Sequence, residues 1–234
     1  MLKHNKAFKT DSQRLAFQLR SALVLNVARF KVSGRVVHHL MRRYVAISYQ
    51  YALLMGKPLL LVRIPTMYQL RCTKKSQELL GLKAQDLSEV DSESHVLGNW
   101  YMHTFTQERR KCLFFMEEKT LMSFILVGFR KSESKFFHEA FKSGLLNLLE
   151  LENAPREILA SFENAPAAIG FTKTDSRKLV GHMNEKMSLF QDFIHADGGF
   201  EHCDLSEITA TINRMPQRQL GWALSVEALN DLFN

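Results

Sequence analysis

The sequence predicts an α+β domain, a small, mostly antiparallel sheet of about four or five strands with helices packed on one face. A basic, partly helical segment precedes it. Three observations predict this. Strand patterns come first along the chain and helical patterns later. An aromatic-rich block between Asn99 and Phe129 reads as consecutive strands. The charge changes abruptly near Met67. Of 31 Lys and Arg, 12 lie in residues 1–66, where Asp11 is the only acid. That segment therefore carries +11 and the remainder −4.

Each element follows from local pattern. Met67 to Thr73 alternates, with Tyr68, Leu70 and Cys72 on one face and Gln69, Arg71 and Thr73 on the other, as in a half-buried strand. Lys74 to Leu82 reads as a short helix, and the acidic, Ser-containing stretch to Ser94 as a loop. Asn99 to Thr106 and Lys111 to Met116 form a hairpin pattern around Gln107 to Arg110. The apolar run Thr120 to Phe129 suits a third, buried strand.

Helical signals then dominate. Ser132 can cap a helix carrying Phe137, Phe141, Leu145 and Leu148, and Pro155 suits the first turn of the next. Ala167 to Phe171 is one more short strand pattern. Ser176 to Ile194 is the clearest helix, with Leu179, Met183, Met187, Phe190 and Ile194 in one stripe ending at Gly198 and Gly199. Asp204 and Glu207 open another helix, and Ser225 is placed to cap the last.

Residues 1–66 admit three readings. They could be an arm that binds nucleic acid or an anionic membrane through Coulomb attraction. They could be an Arg-rich transit peptide, with Leu15, Leu19, Leu23, Val27 and Phe30 at helical spacing. Or the native chain starts at Met67, where the composition changes and a clean strand pattern begins. The domain division is accordingly 1–66 as a basic extension and 67–234 as one α+β domain. Three cysteines without a CxxC pair give neither a disulfide framework nor a zinc pattern, which favours a reducing cytoplasm. No uninterrupted apolar run reaches membrane-spanning length, because Gly56 to Pro58 break the closest stretch.

Candidate site residues fall in four groups. Arg109, Arg110 and Lys111 sit at the hairpin tip, where three cations could grip phosphates beside Trp100, a possible stacking ring. The competing reading is a solvated turn with core aromatics. Arg71, Lys74 and Lys75 lie where a strand passes into a helix; cations at a helix start oppose its dipole and so point to a bound anion. His103, with Arg110, is the catalytic candidate for a metal-independent phosphodiester cleavage, the His moving protons and the cations facing transition-state charge. Arg177 and Asn184, two helical turns apart, share a face with Gly181 between them, a set that a helix-packing notch would also explain. His195, His202 and Cys203 match no standard zinc spacing, so no metal is expected. No cofactor is expected either. There is no Walker loop, GxGxxG, GxSxG or HExxH pattern.

From Met67 onward the chain resembles a bacterial family called domain of unknown function 6933. The resemblance rests on Leu70 to Lys75, Gly98 to Tyr101, Arg109 to Lys111, Glu118 to Leu121, Lys173 with Thr174, Arg177, Gly181 to Asn184, and Asn213 to Pro216. His103 and Ser176 stand where that family usually has Asn. The resemblance implies a small bacterial cytosolic protein and supplies no activity.

Two function classes remain. One is a non-enzymatic binding or regulatory module, with a protein partner possible and nucleic acid weakly supported. The other is an RNase-like, toxin-type enzyme using His103 with Arg109 and Arg110. The second requires His103, Arg71 and Arg110 to meet around one cleft.

Overall fold

The computed structural model describes residues 67–90, 96–165 and 168–233. The helical pattern read in 1–66 lies outside them. The strands are β1 (Met67–Cys72), β2 (Asn99–Gln107), β3 (Arg110–Glu117), β4 (Ser123–Val127) and β5 (Ala168–Lys173). The α-helices are α1 (Lys74–Leu80), α2 (Phe137–Leu151), α3 (Arg156–Asn164), α4 (Arg177–Ala196), α5 (Leu205–Asn213) and α6 (Ser225–Asp231). The α+β class is confirmed, and the strands form one five-stranded sheet in the order β4-β3-β2-β1-β5.

The sheet is mixed. β2 pairs antiparallel with β3, and β3 with β4, while β1 pairs parallel with β2 on one side and β5 on the other. The parallel half follows from the connections. α1 carries the chain from β1 to β2, and a same-sheet connection through a helix returns a strand in the same direction. β1 is thus an interior strand, buried on both faces except at Met67. Its alternating pattern, which predicts a half-buried strand, conceals this because the second face is polar.

Helices cover both faces, where the sequence predicts one. On the first face, β1, β2 and β3 present Tyr68, Leu70, Trp100, Met102 and Phe115 to α1, α2, α3 and α6. Trp100 lies edge-on to Phe124 and Phe141, with centroids 5.6 Å away in each case. On the second face, Tyr101, Phe105, Phe114 and Met116 meet Met183, Phe190 and Ile194 of α4 and Ile208 and Ile212 of α5. A sheet covered on both sides buries alternate residues in two separate cores, so each strand reads as apolar along most of its length.

Local chemistry sets the element ends. The β2–β3 turn is only Glu108 and Arg109, both in the left-handed region (φ 49° and 64°), as a two-residue type I′ hairpin requires. β4 begins later than its apolar run, because the Glu117 carboxylate organises the preceding turn. It accepts from the Thr120 amide at 2.6 Å, the Lys119 amide at 2.8 Å and the Thr120 hydroxyl at 2.8 Å. Ser176 caps α4 by accepting from the Leu179 amide, and Asp204 caps α5 by accepting from Ser206 and Glu207.

Ser225 does not cap α6. Leu224 occupies the cap position, and its amide donates to the Glu227 carboxylate. The buried Ser225 hydroxyl instead accepts from Lys186 of α4 at 3.1 Å, and the same ammonium donates to the Leu121 carbonyl at 2.6 Å. Lys186 thereby ties α4 to the β3–β4 turn and to α6. Burial pushes its ammonium down to about 7.

This lysine binds fewer protons folded than unfolded between about pH 7 and its ordinary range. Its contribution to stability therefore rises with pH across that window. We expect the stability of the wild type relative to Lys186→Met to rise by on the order of 1 kcal/mol between pH 7 and pH 9, measured by urea unfolding. A flat difference would mean that folded Lys186 keeps its proton up to its ordinary range, and would contradict the depression that burial imposes.

Candidate functional site

The carboxyl ends of β1 and β5, with the neighbouring first half of β2, carry most of the polar chemistry. β1 passes into α1, which packs on the first face. β5 passes through Thr174 and Asp175 into α4, which packs on the second. The chain therefore leaves neighbouring parallel strands in opposite directions, and such a switch point opens a crevice beyond the strand ends.

The centre of this region is Arg71, only 4% exposed. It lies opposite Tyr101 of β2 and Thr172 of β5, on the second face. One guanidinium nitrogen lies 2.5 Å from Glu118 Oε1, 3.0 Å from the Tyr101 hydroxyl and 3.3 Å from Asp175 Oδ1. The Tyr101 hydroxyl donates to Asp175, and Asn99 Nδ2 donates to the second Glu118 oxygen at 3.0 Å. Burial opposes the Arg71 charge, but the hydrogen bonds to Glu118 and Tyr101 outweigh it and push the group up. Burial and the bond to Asp175 push the Tyr101 phenol up to about 12, so it stays protonated at neutral pH.

Beside this clamp is a hydrogen-bonded relay. The Ser76 hydroxyl donates to the Met102 carbonyl at 3.1 Å. Its only proton is then used, so in the 2.9 Å contact with Thr73 it accepts. The Thr73 hydroxyl proton is used in turn, so in its 2.7 Å contact with His103 Nδ1 it accepts again. His103 must carry its proton on Nδ1, which leaves Nε2 as a lone-pair acceptor. Burial, and then the charge of Lys75, pushes the imidazole down, so it is neutral at pH 7.

The structure brings several candidates to this end of the sheet. Lys74 and Lys75 open α1, Lys173 closes β5 and Arg177 opens α4, all four exposed. His103 lies on β2, one register step beyond the Met102–Cys72 pair. Arg71 is there too, with its charge already met by two carboxylates.

Other candidates lie elsewhere. Arg109, Arg110 and Lys111 are at the hairpin tip, where Arg110 pairs with Gln107, roughly 13 Å along the strand from His103. Arg110 packs over the Phe200 ring at 5.5 Å and approaches Glu201 at 3.8 Å. The tip docks on the α4–α5 connection, with Glu108 accepting from the Phe200 amide. The cleft that the enzyme reading requires, with Arg110 beside His103, is not formed. Trp100 is wholly buried and donates to the Leu97 carbonyl at 2.7 Å, so it is a core residue and no stacking platform. Asn184 lies two turns down α4 from Arg177, about 10 Å away. Gly181 between them faces open space and no packed neighbour, so the notch reading fails there.

Sequence reasoning missed Glu118, Asp175, Thr73 and Ser76. Glu118 and Asp175 lie just outside strand ends, and only the fold shows what they reach. Two surface grooves lie elsewhere, one of about 310 Å³ beside Leu82, Phe137 and His138, one of about 340 Å³ between residues 84–90 and Lys173. All three cysteines are free and buried, and burial pushes Cys112 up to about 11. Among the described residues there is no group of three or more His, Cys, Asp and Glu that could hold a metal, and no helix long and apolar enough to cross a membrane.

The family model described as domain of unknown function (DUF6933) matches residues 69–228. The chain belongs to this family. Three of the segments that carry the resemblance, Leu70 to Lys75, Gly98 to Tyr101 and Glu118 to Leu121, converge on the Arg71 clamp. No curated protein and no solved structure matches the chain.

Replacing Arg71 with Met should cost about 3 kcal/mol in urea unfolding, because Glu118 and Asp175 lose their shared cation. A cost below 0.5 kcal/mol, roughly that of an ordinary surface change, would remove the clamp from the account. In ¹⁵N-resolved NMR at pH 7.5, His103 should show the Nδ1–H tautomer. An Nε2–H tautomer would break the relay.

Proposed function

We propose that this chain is a non-enzymatic binding module whose ligand site is the crevice at the carboxyl ends of β1 and β5, beside the middle of β2. The relay carries this reading. It spends two hydroxyl groups and one imidazole nitrogen on holding His103 Nε2 as an unprotonated acceptor at the strand ends. A group fixed in this way suits recognition of a ligand that offers a proton donor. Around it stand the four exposed cations at the helix and strand ends. The neighbouring hydroxyls are engaged within the relay, and Tyr101 stays protonated, which leaves no activated nucleophile beside the histidine.

One observation favours a second reading, an enzyme with His103 as general base. An Nε2 lone pair on a neutral imidazole can accept a proton as well as a hydrogen bond. Arg110 has no part in such a site, so phosphodiester cleavage would have to rely on Lys75, Lys173 and Arg177. A bacterial, reducing cytoplasm fits either reading, given three buried free thiols and the family resemblance.

The experiment is a thermal-shift screen of the full chain against small metabolites, followed by recovery of each hit. The binding reading expects at least one compound that raises the melting temperature, is recovered unchanged, and loses its effect in His103→Ala. Recovery of an altered compound would convert the reading to the enzyme. RNA incubated with wild type and with His103→Ala should remain intact in both; cleavage by the wild type alone would establish the RNase-like alternative.

A further inference from the structure

The crevice has a buried floor with unanswered polar atoms. Thr172 is fully buried and its hydroxyl has no hydrogen-bond partner. The Nε of Arg71 is likewise unpartnered, as is Oε1 of Gln69, which is 5% exposed. All three share the second face: Gln69 and Arg71 alternate on β1, and Thr172 is the register partner of Arg71 on β5. Tyr101, on the same face at the same level, reaches Asp175 with its hydroxyl. Asp175 immediately precedes the cap of α4. Thr172 therefore points into the space beneath the first turn of that helix. A buried donor left unpaired is costly, and a ligand atom in this place would remove that cost.

The exposed charge around the floor is mostly positive, and its two carboxylates, Glu118 and Asp175, both face Arg71. α4 is 20 residues long, and its first turn holds no acid. It starts instead with Arg177 and Lys178, against the helix dipole, and α1 starts with Lys74 and Lys75, also without an acid. Asp175, the acid within the crevice, is spent on Arg71 and Tyr101. Cations stacked on the positive end of α4 raise each other's energy until an anion enters. Their number suits a dianion better than a single carboxylate. On the β2 side, His103 Nε2 offers an acceptor and no proton, so the ligand there must present a donor such as a hydroxyl.

Resting on the binding reading above, we propose that the crevice takes a phosphate-bearing small molecule. Its phosphate sits over Thr172 at the start of α4, among Lys75 and Arg177, and a hydroxyl donates to His103 Nε2. The Thr172 hydroxyl and Arg71 Nε–H supply the buried donors, directly or through one ordered water.

The test uses the full chain with ribose 5-phosphate and inorganic phosphate as probes, read by calorimetry and by the His103 ring resonances. Ribose 5-phosphate should bind at least tenfold more tightly than inorganic phosphate and should shift the Nε2 signal. Lys75→Ala and Thr172→Val should each weaken it about tenfold, the loss of roughly one charged or buried hydrogen bond. Thr172→Val is the decisive variant. Its hydroxyl has no partner in the free protein, so removing it should leave the unfolding midpoint unchanged or raised while binding falls. Binding that leaves the His103 signal unmoved, or that survives both substitutions, would place the anion on the basic 1–66 segment and overturn the proposal. No binding of either probe would overturn it as well. An unphosphorylated screening hit that shifts His103 would overturn this inference alone and leave the binding reading standing.

Discussion

A guanidinium on an interior strand of a covered sheet is the constraint on which the rest of this structure depends. Arg71 cannot reach bulk water from β1, and an unpaired buried charge is far too costly to keep. Its charge is met by carboxylates from two places distant in sequence, Glu118 at the end of β3 and Asp175 at the end of β5. Tyr101 accepts from the same guanidinium nitrogen, and Asn99 donates to the second Glu118 oxygen. This one neutralisation ties the antiparallel half of the sheet to its parallel half. It also fixes the β5–α4 connection against β1, which sets the mouth of the crevice. A buried ion pair of this kind is a weak source of net stability. Its effect is to specify which segments meet.

The two faces of the sheet divide the work. The first is mainly apolar, with interlocked aromatic rings between sheet and helices. The second is apolar under α4 and α5 but polar toward β1 and β5, where Gln69, Arg71, Asn99, Tyr101 and Thr172 line up. The polar sector coincides with the place where α1 and α4 leave in opposite directions. Ligand chemistry and connection geometry thus arise from the same local feature, a parallel strand with a different crossover on each side.

Much of this was legible in the sequence. The α+β class, the hairpin, the stripe on α4 and the cap at Asp204 all follow from periodicity and local side-chain chemistry. Parallel pairing was not legible, because it is a property of the connections and leaves no period in β1. The alternation of Gln69 and Arg71 was misread as solvent exposure, since a polar face turned toward a buried network has the same pattern as one turned toward water. Trp100 was misplaced for the converse reason: a tryptophan beside a basic turn suits stacking equally well until its face is known. Lys74, Lys75, His103 and Arg177 were found one at a time, by charge at helix starts or by residue type. Only the strand order shows that they meet, and that Arg110 does not join them.

The most direct measurement of the clamp is a double-mutant cycle between Arg71→Met and Asp175→Asn, read by urea unfolding of the full chain. Because the two side chains share one network, their effects should be non-additive by about 1–3 kcal/mol. Additivity within about 0.3 kcal/mol would mean that Arg71 and Asp175 act independently, and would contradict the claim that one buried charge organises both the fold and its crevice.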